Sequence, residues 1–209
     1  MAGKNELIVL LVLAAVLSSC YHPKYDNPAD FQTERSASGK SVVTIRYVGK
    51  KWRDINVPPR INGKRVIEIG ENTFADIEIA AVTIPNGIRK IGAWSFSGNY
   101  ISEFNIPKTV TEIGTGAFMS NRLGRITIPG SVRKIGYRAF CENPLESITI
   151  GKNVNLESIG GHDSVFGADW VYYAFELGLK TEFDEFYKQN GRKAGTYILS
   201  DGVWSMQSK

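Results

Sequence analysis

Residues 123–144 read LGRITIPGSVRKIGYRAFCENP, and this stretch returns in altered form on both sides. Ile84-Pro85, Ile106-Pro107 and Ile128-Pro129 recur at steps of 22 residues. Ile69-Gly70, Ile91-Gly92, Ile113-Gly114 and Ile135-Gly136 keep the same step, as do Phe74, Phe96, Phe118 and Phe140. Val66, Ile88, Val110 and Val132 form another column, and Asn99, Asn121 and Asn143 a further one. The leading apolar position is Ile79, Ile101, Leu123 and Leu145; the next is Val82, Phe104, Ile126 and Ile148. Self-similarity at a fixed period of this size is the mark of a stacked repeat, in which each unit buries its apolar face against its neighbours.

Each unit therefore reads L-x-x-I-x-I-P-x-x-V-x-x-I-G-x-x-A-F-x-x-N-x. This pattern resembles the BspA-like, or treponemal-type, leucine-rich-repeat family over roughly residues 42–170. The resemblance implies an α/β, β-rich fold. It is a right-handed leucine-rich-repeat solenoid of about four to five 22-residue repeats, with one short strand per turn on a concave parallel sheet. The columns suit that fold. In Ile126-Thr127-Ile128 the strand period of two points both Ile inward and Thr127 outward. Gly136 fits a corner where backbones approach closely. Phe140 fills the wedge between coils, and Asn143 is suited to an amide ladder that satisfies loop backbone groups.

Both ends depart from the pattern, as capping turns do. Val66 follows Pro58 by eight residues where later units need three, and the excess includes Asn62-Gly63, a type I′ hairpin signal. Ser41–Val48 and Trp52–Val57 alternate as strands, giving an N-terminal β cap. Downstream, Ile150-Gly151 replaces Ile-Pro and the loop Gly160-Gly161-His162-Asp163-Ser164 is inserted. Thr181-Glu182-Phe183-Asp184 then opens a helix with a capping-box pattern. Phe183, Phe186 and Tyr187 form its apolar stripe, and Asn190-Gly191 ends it. Thr196–Leu199 and Val203–Met206 flank Ser200-Asp201-Gly202 as a hairpin. Helix and hairpin together read as a C-terminal cap.

The start of the chain is of another kind. Eleven apolar residues, Leu7–Leu17, fit the core of an export signal and fall short of the roughly 20 that span a bilayer. Leu17-Ser18-Ser19-Cys20 resembles the lipobox of bacterial lipoproteins, which implies lipidation at Cys20 and anchoring to the cell envelope. A secretory signal cut near Ser19, with Cys20 incidental, is the alternative. No Asp follows Cys20, which favours the outer membrane. The expected organisation is a signal peptide over 1–19 and a flexible tether over 20–40. The repeat domain and its N-terminal cap then take 41–170, and the C-terminal cap 171–209.

Composition narrows the chemistry. The chain has 209 residues, 43% hydrophobic and 22% charged, with two His and two Cys. After removal of a signal, Cys141 is the remaining thiol apart from Cys20; it shares a column with Ala75, Ser97 and Met119 and so reads as a core residue. His162-Asp163-Ser164 holds triad residue types, but adjacent residues do not easily form a nucleophile–base–orienter chain. Nucleotide-binding, metalloprotease and hydrolase motifs are absent, and clustered Cys and His for zinc are absent too. The expectation is a non-enzyme with no cofactor and no metal. The net charge of +4 is dispersed: Arg89-Lys90 and Arg133-Lys134 share a column, but Thr111-Glu112 separates them. No nucleic-acid partner is expected.

What remains is the surface made by stacked strands. Outward positions form a shallow polar strip of Ala81, Thr83, Glu103, Asn105, Arg125, Thr127, Ser147 and Thr149, without aromatic anchors. Such strips serve repeat proteins as binding surfaces. With the lipobox and the family resemblance, the strip implies an exported surface lipoprotein whose partner is a protein, either a host matrix component or another cell's surface. A periplasm-facing envelope scaffold is the alternative.

Overall fold

The computed structural model describes residues 25–35, 41–49, 53–156, 165–166 and 183–207. The expected signal segment, Cys20, Trp52, the His162-Asp163-Ser164 stretch, Thr181 and Glu182 lie outside the described residues. The chain winds as a β-rich solenoid. Its strands are β1 (Phe31–Arg35), β2 (Ser41–Tyr47), β3 (Asp54–Asn56), β4 (Arg60–Ile61), β5 (Lys64–Ile69), β6 (Ala81–Thr83), β7 (Lys90–Ile91), β8 (Glu112–Ile113), β9 (Arg125–Ile128), β10 (Lys134–Ile135), β11 (Ser147–Ile150) and β12 (Asn155–Leu156). The helix α1 (Phe183–Gln189) and the hairpin strands β13 (Gly195–Ser200) and β14 (Val203–Met206) follow.

Each turn contributes to two ladders rather than one, which differs from the expected single strand per turn. The I-x-I-P segments pair in parallel, β3 with β6 and β9 with β11, and an isolated bridge joins Ala81 to Glu103. The dipeptides before the corner glycines make a second parallel ladder, β5-β7-β8-β10-β12, within an eight-stranded sheet. The cause is the close stacking of the corners. Gly92 N donates to Ile69 O, Gly114 N to Ile91 O and Gly136 N to Ile113 O, each at 2.8 Å. A Cβ at Gly114 would lie 2.5 Å from Ala93 N and 2.8 Å from Gly92 C. Glycine is thus required here by proximity, so that the backbones of successive turns touch.

The interior follows the columns. Phe74, Phe96, Phe118, Phe140 and Phe166 stack at centroid spacings of 5.0, 5.2, 5.4 and 5.2 Å, with ring planes within 10° of parallel. A 22-residue offset sets each ring from Phe96 to Phe140 over its predecessor, and an offset of 26 does so for Phe166, all within the spacing at which aromatic pairs attract. The Asn column forms the expected ladder. Asn121 Oδ1 accepts from Ile101 N at 3.1 Å, while its Nδ2 donates to Phe96 O and Phe118 O at 2.8 and 3.1 Å. Asn99 and Asn143 repeat the arrangement one turn to either side.

The N-terminal cap reaches further back than the sequence reading placed it. Residues 28–35, assigned there to the tether, form a short 3-10 turn and β1, which pairs antiparallel with β2. Asp26 is buried, and its carboxylate accepts from Asn56 N at 2.7 Å. Phe31 is the physical reason. It is 5% exposed and packs edge-on against Tyr47 and Phe74 at the open end of the Phe stack. The turn-rich composition around it hid a single core residue. Asn62 and Gly63, at φ +51° and +73°, close the β4–β5 hairpin as expected for a type I′ turn.

At the other end Phe166 meets Phe183 of α1 edge-on at 5.0 Å, and Phe183 touches Tyr197 and Trp204. A perpendicular ring ends the parallel stack. Tyr187 is fully buried, donating its hydroxyl to Gly151 O and accepting from Val154 N. Burial pushes the hydroxyls of Tyr187 and Tyr197 above the ordinary phenol range, and for Tyr197 the charge on Tyr187 adds to this.

Candidate functional site: the outward strip

Strand geometry alone decides which side chains leave the core on the I-x-I-P face. Along β9 the burial alternates, Arg125 out, Ile126 in, Thr127 out, Ile128 in. The expected strip residues Ala81, Thr83, Glu103, Asn105, Arg125 and Thr127 are all exposed, and Ser147 and Thr149 are half-buried. In the parallel register Arg125 lies beside Ser147, and Thr127 beside Thr149. The isolated bridge sets Ala81 beside Glu103, and Asn105 is exposed on the same turn as Glu103. Adjacent rungs of such a ladder stand about 4.8 Å apart.

Both ends of the strip extend beyond those eight. β3 places Asp54 beside Ala81 and Asn56 beside Thr83. Ile55-Asn56-Val57-Pro58 has the form of the I-x-I-P step, which is why β3 joins this ladder. At the far end β13 pairs antiparallel with β11, setting Ile198 beside Ser147 and Thr196 beside Thr149. The Thr149 and Thr196 hydroxyls are 2.9 Å apart. No local pattern announced this pairing, because it joins segments 47 residues apart outside the repeat. Asn56 and Thr83 lie side by side at one end, and Thr127, Thr149 and Thr196 at the other, all uncharged and capable of hydrogen bonding. Next to them, Asp54, Ala81 and Glu103 are in register at one end and Arg125, Ser147 and Ile198 at the other, and these residues carry the charge.

An exposed aromatic side chain outside the expected eight stands at the turn leading into the strip. Tyr100 is 45% exposed, and the Arg122 guanidinium lies 4.4 Å from its ring centroid. The two residues are 22 apart, so the solenoid stacks them one turn over the other; reading the exposed positions of the Asn-x column would have paired them. Tyr and Arg, each held by the other, are the residue types that dominate binding hot spots.

The strip offers no acid–base or nucleophilic constellation, and among the described residues no cluster of three or more His, Cys, Asp or Glu side chains is placed to hold a metal ion. Cys141 is buried in its column, its thiol 3.9 Å from Val165 O. The family model for the BspA-type leucine-rich-repeat region matches residues 51–163 in six copies. The chain belongs to this family.

Solved structures of leucine-rich-repeat proteins align with this chain. A leucine-rich-repeat protein of T. pallidum aligns at 23% identity and a TM-score of 0.53, over 62% of this chain and 65% of its own. The alignment thus spans less than two thirds of that relative. A leucine-rich-repeat protein from Bacteroides capillosus aligns at 23% identity and a TM-score of 0.48, over 60% of this chain and 97% of its own. A leucine-rich cell surface protein from Faecalibacterium prausnitzii aligns at 18% identity and a TM-score of 0.33, over 68% and 57%. At these identities the T. pallidum protein supports the fold alone. No curated protein matches this chain. Among the described residues no helix is long and apolar enough to cross a membrane.

Proposed function

We propose that this protein is an exported lipoprotein whose repeat module binds another protein through the outward strip, in adhesion to a matrix component or to a second cell's surface. The observation that carries this reading is the strip itself. It is a polar surface fixed by a column-packed core, open along its length, flanked by a Tyr–Arg pair and devoid of catalytic groups. Rigid strands present such side chains with little ordering entropy left to lose on binding. Anchoring is assigned to Cys20, on the strength of the apolar run Leu7–Leu17 and the Leu17-Ser18-Ser19-Cys20 sequence. Multiple acyl chains there hold stably, because each buried CH₂ contributes about 0.8 kcal/mol.

The test has three arms. Cells expressing the chain incorporate labelled palmitate into it, and Cys20→Ser abolishes the label; retention of the label removes the anchor assignment. Protease added to intact cells degrades the repeat domain. Full protection, with crosslinks to periplasmic proteins, replaces the surface role with an envelope scaffold. Matrix proteins captured by the solubilised full chain lose affinity when Glu103→Lys and Arg125→Glu are combined. Unchanged affinity moves the binding face elsewhere.

A further inference from the structure

The strip does not end flat. Where β13 lies against β11, the face deepens into an open groove of about 960 Å³. This is the upper end of the range of about 300–1,000 Å³ usual for ligand clefts. Thr127, Thr149 and Thr196 line it with hydroxyls, while Pro129, Ala194 and Met206 give it an apolar wall. Met206 is 39% exposed. Arg133 and Lys152 supply the charges, and no Asp or Glu is among the lining residues. The Arg133 guanidinium is held by Gly130 O, and neither cation is ion-paired to a described residue.

We infer that this groove is the docking site for an extended, acidic segment of a partner protein that carries aliphatic side chains. Two cations with no carboxylate among the lining residues call for an anionic ligand. The apolar wall calls for a ligand that is not charged throughout. The wall has no aromatic ring for a sugar to stack on, which favours a peptide over an acidic glycan. Crossing the ends of β9, β11 and β13 is two rungs of about 4.8 Å, the reach of about three extended residues. An alternating segment of this length, with its flanking residues, then sends acidic side chains to Arg133 and Lys152 and aliphatic ones to Met206 and Pro129. The inference rests on the strip as the binding face and moves its energetic centre to the C-terminal end.

The probe is a fluorescein-labelled dodecapeptide of alternating Glu and Val, titrated by anisotropy against the detergent-solubilised full chain, with protein-free micelles as the blank. Binding is expected, and the Arg133→Gln/Lys152→Gln double variant weakens it about tenfold or more. The control Arg89→Gln/Lys108→Gln removes the same charge elsewhere and leaves binding unchanged. Gly130→Gln is the second blocking variant. A Cβ at Gly130 meets nothing within 4 Å, so the longer side chain enters the groove without disturbing the fold. Loss of binding in Gly130→Gln supports the assignment. Equal binding by every variant, or by a Lys-Val dodecapeptide, overturns it, and displacement by an oligogalacturonate but not by unlabelled peptide replaces the peptide with a glycan. A matrix protein that is sensitive to the Glu103→Lys/Arg125→Glu pair yet binds Gly130→Gln normally leaves the strip standing and removes the groove.

Discussion

Replacing Asn121 by Ala tests how the turns are held together. The amide serves four backbone groups: Ile101 N donates to its Oδ1, and its Nδ2 donates to Phe96 O, Phe118 O and Met119 O. Three of these have a second partner. Phe96 O still receives Asn99 Nδ2, Phe118 O still receives Asn143 Nδ2, and Met119 O still receives Gly98 N. Ile101 N–H keeps no partner and is buried. One orphaned donor costs about 1–3 kcal/mol, and the lost second bonds add about 1 kcal/mol together. The expected loss is about 2–4 kcal/mol, a large share of the 5–15 kcal/mol that holds an ordinary domain. Urea unfolding followed by circular dichroism reads it as a lowered midpoint. Native-state hydrogen exchange reads it as lost protection at Ile101. Asn121→Asp sharpens the test. The carboxylate has the same shape and still accepts from Ile101 N, but it faces three carbonyl oxygens with no proton to give. It must therefore cost more than Ala at neutral pH and recover as the pH falls. If Asp is as mild as Ala, the amide's donors contribute nothing and the ladder argument fails.

Other outcomes follow from the same geometry. Gly114→Ala drives a Cβ into the backbone of the preceding turn and costs about 3 kcal/mol or more, whereas Gly130→Ala meets open space and changes the melting temperature little. Lys90→Glu breaks the ion pair to Glu68 at 3.4 Å and sets three acids side by side, because Lys90 is in register with both Glu68 and Glu112. These side chains are partly exposed, so the cost is about 1 kcal/mol, and added salt removes most of it in a melting series. Tyr187 and Tyr197 ionise more readily in the unfolded chain than in the fold, since burial raises both. Their contribution is complete below the ordinary phenol value of about 10 and is lost as the pH rises through the higher folded values. Alkaline unfolding therefore begins above about pH 10 and shifts upward in Tyr187→Phe, to the extent that the lost hydroxyl bonds to Gly151 and Val154 leave the fold intact. A midpoint shifted downward, with the neutral-pH stability unchanged, contradicts the assignment.

The 22-residue period was enough to read the coil. Its columns say which side chains stack as Phe74 to Phe140, which amides bridge turns, which glycines stand at close corners and which residues, from Ala81 to Thr149, face outward. These are interactions between a residue and its equivalent one turn away, so repetition in sequence records them directly. The features that shape the candidate site are of another kind. Phe31 closes the N-terminal end from within a stretch whose composition reads as linker. β13 adds itself antiparallel to β11, lengthening the strip and raising one wall of the groove. Tyr100 and Arg122 meet because the coil superposes two exposed positions whose residue types differ. Each is a contact between segments of unlike sequence, so no period records it. The sequence by itself determined a stacked, column-packed repeat with one polar face. Tertiary packing decided where that face ends, because the ends of a solenoid must bury the apolar surface that has no next turn to cover it.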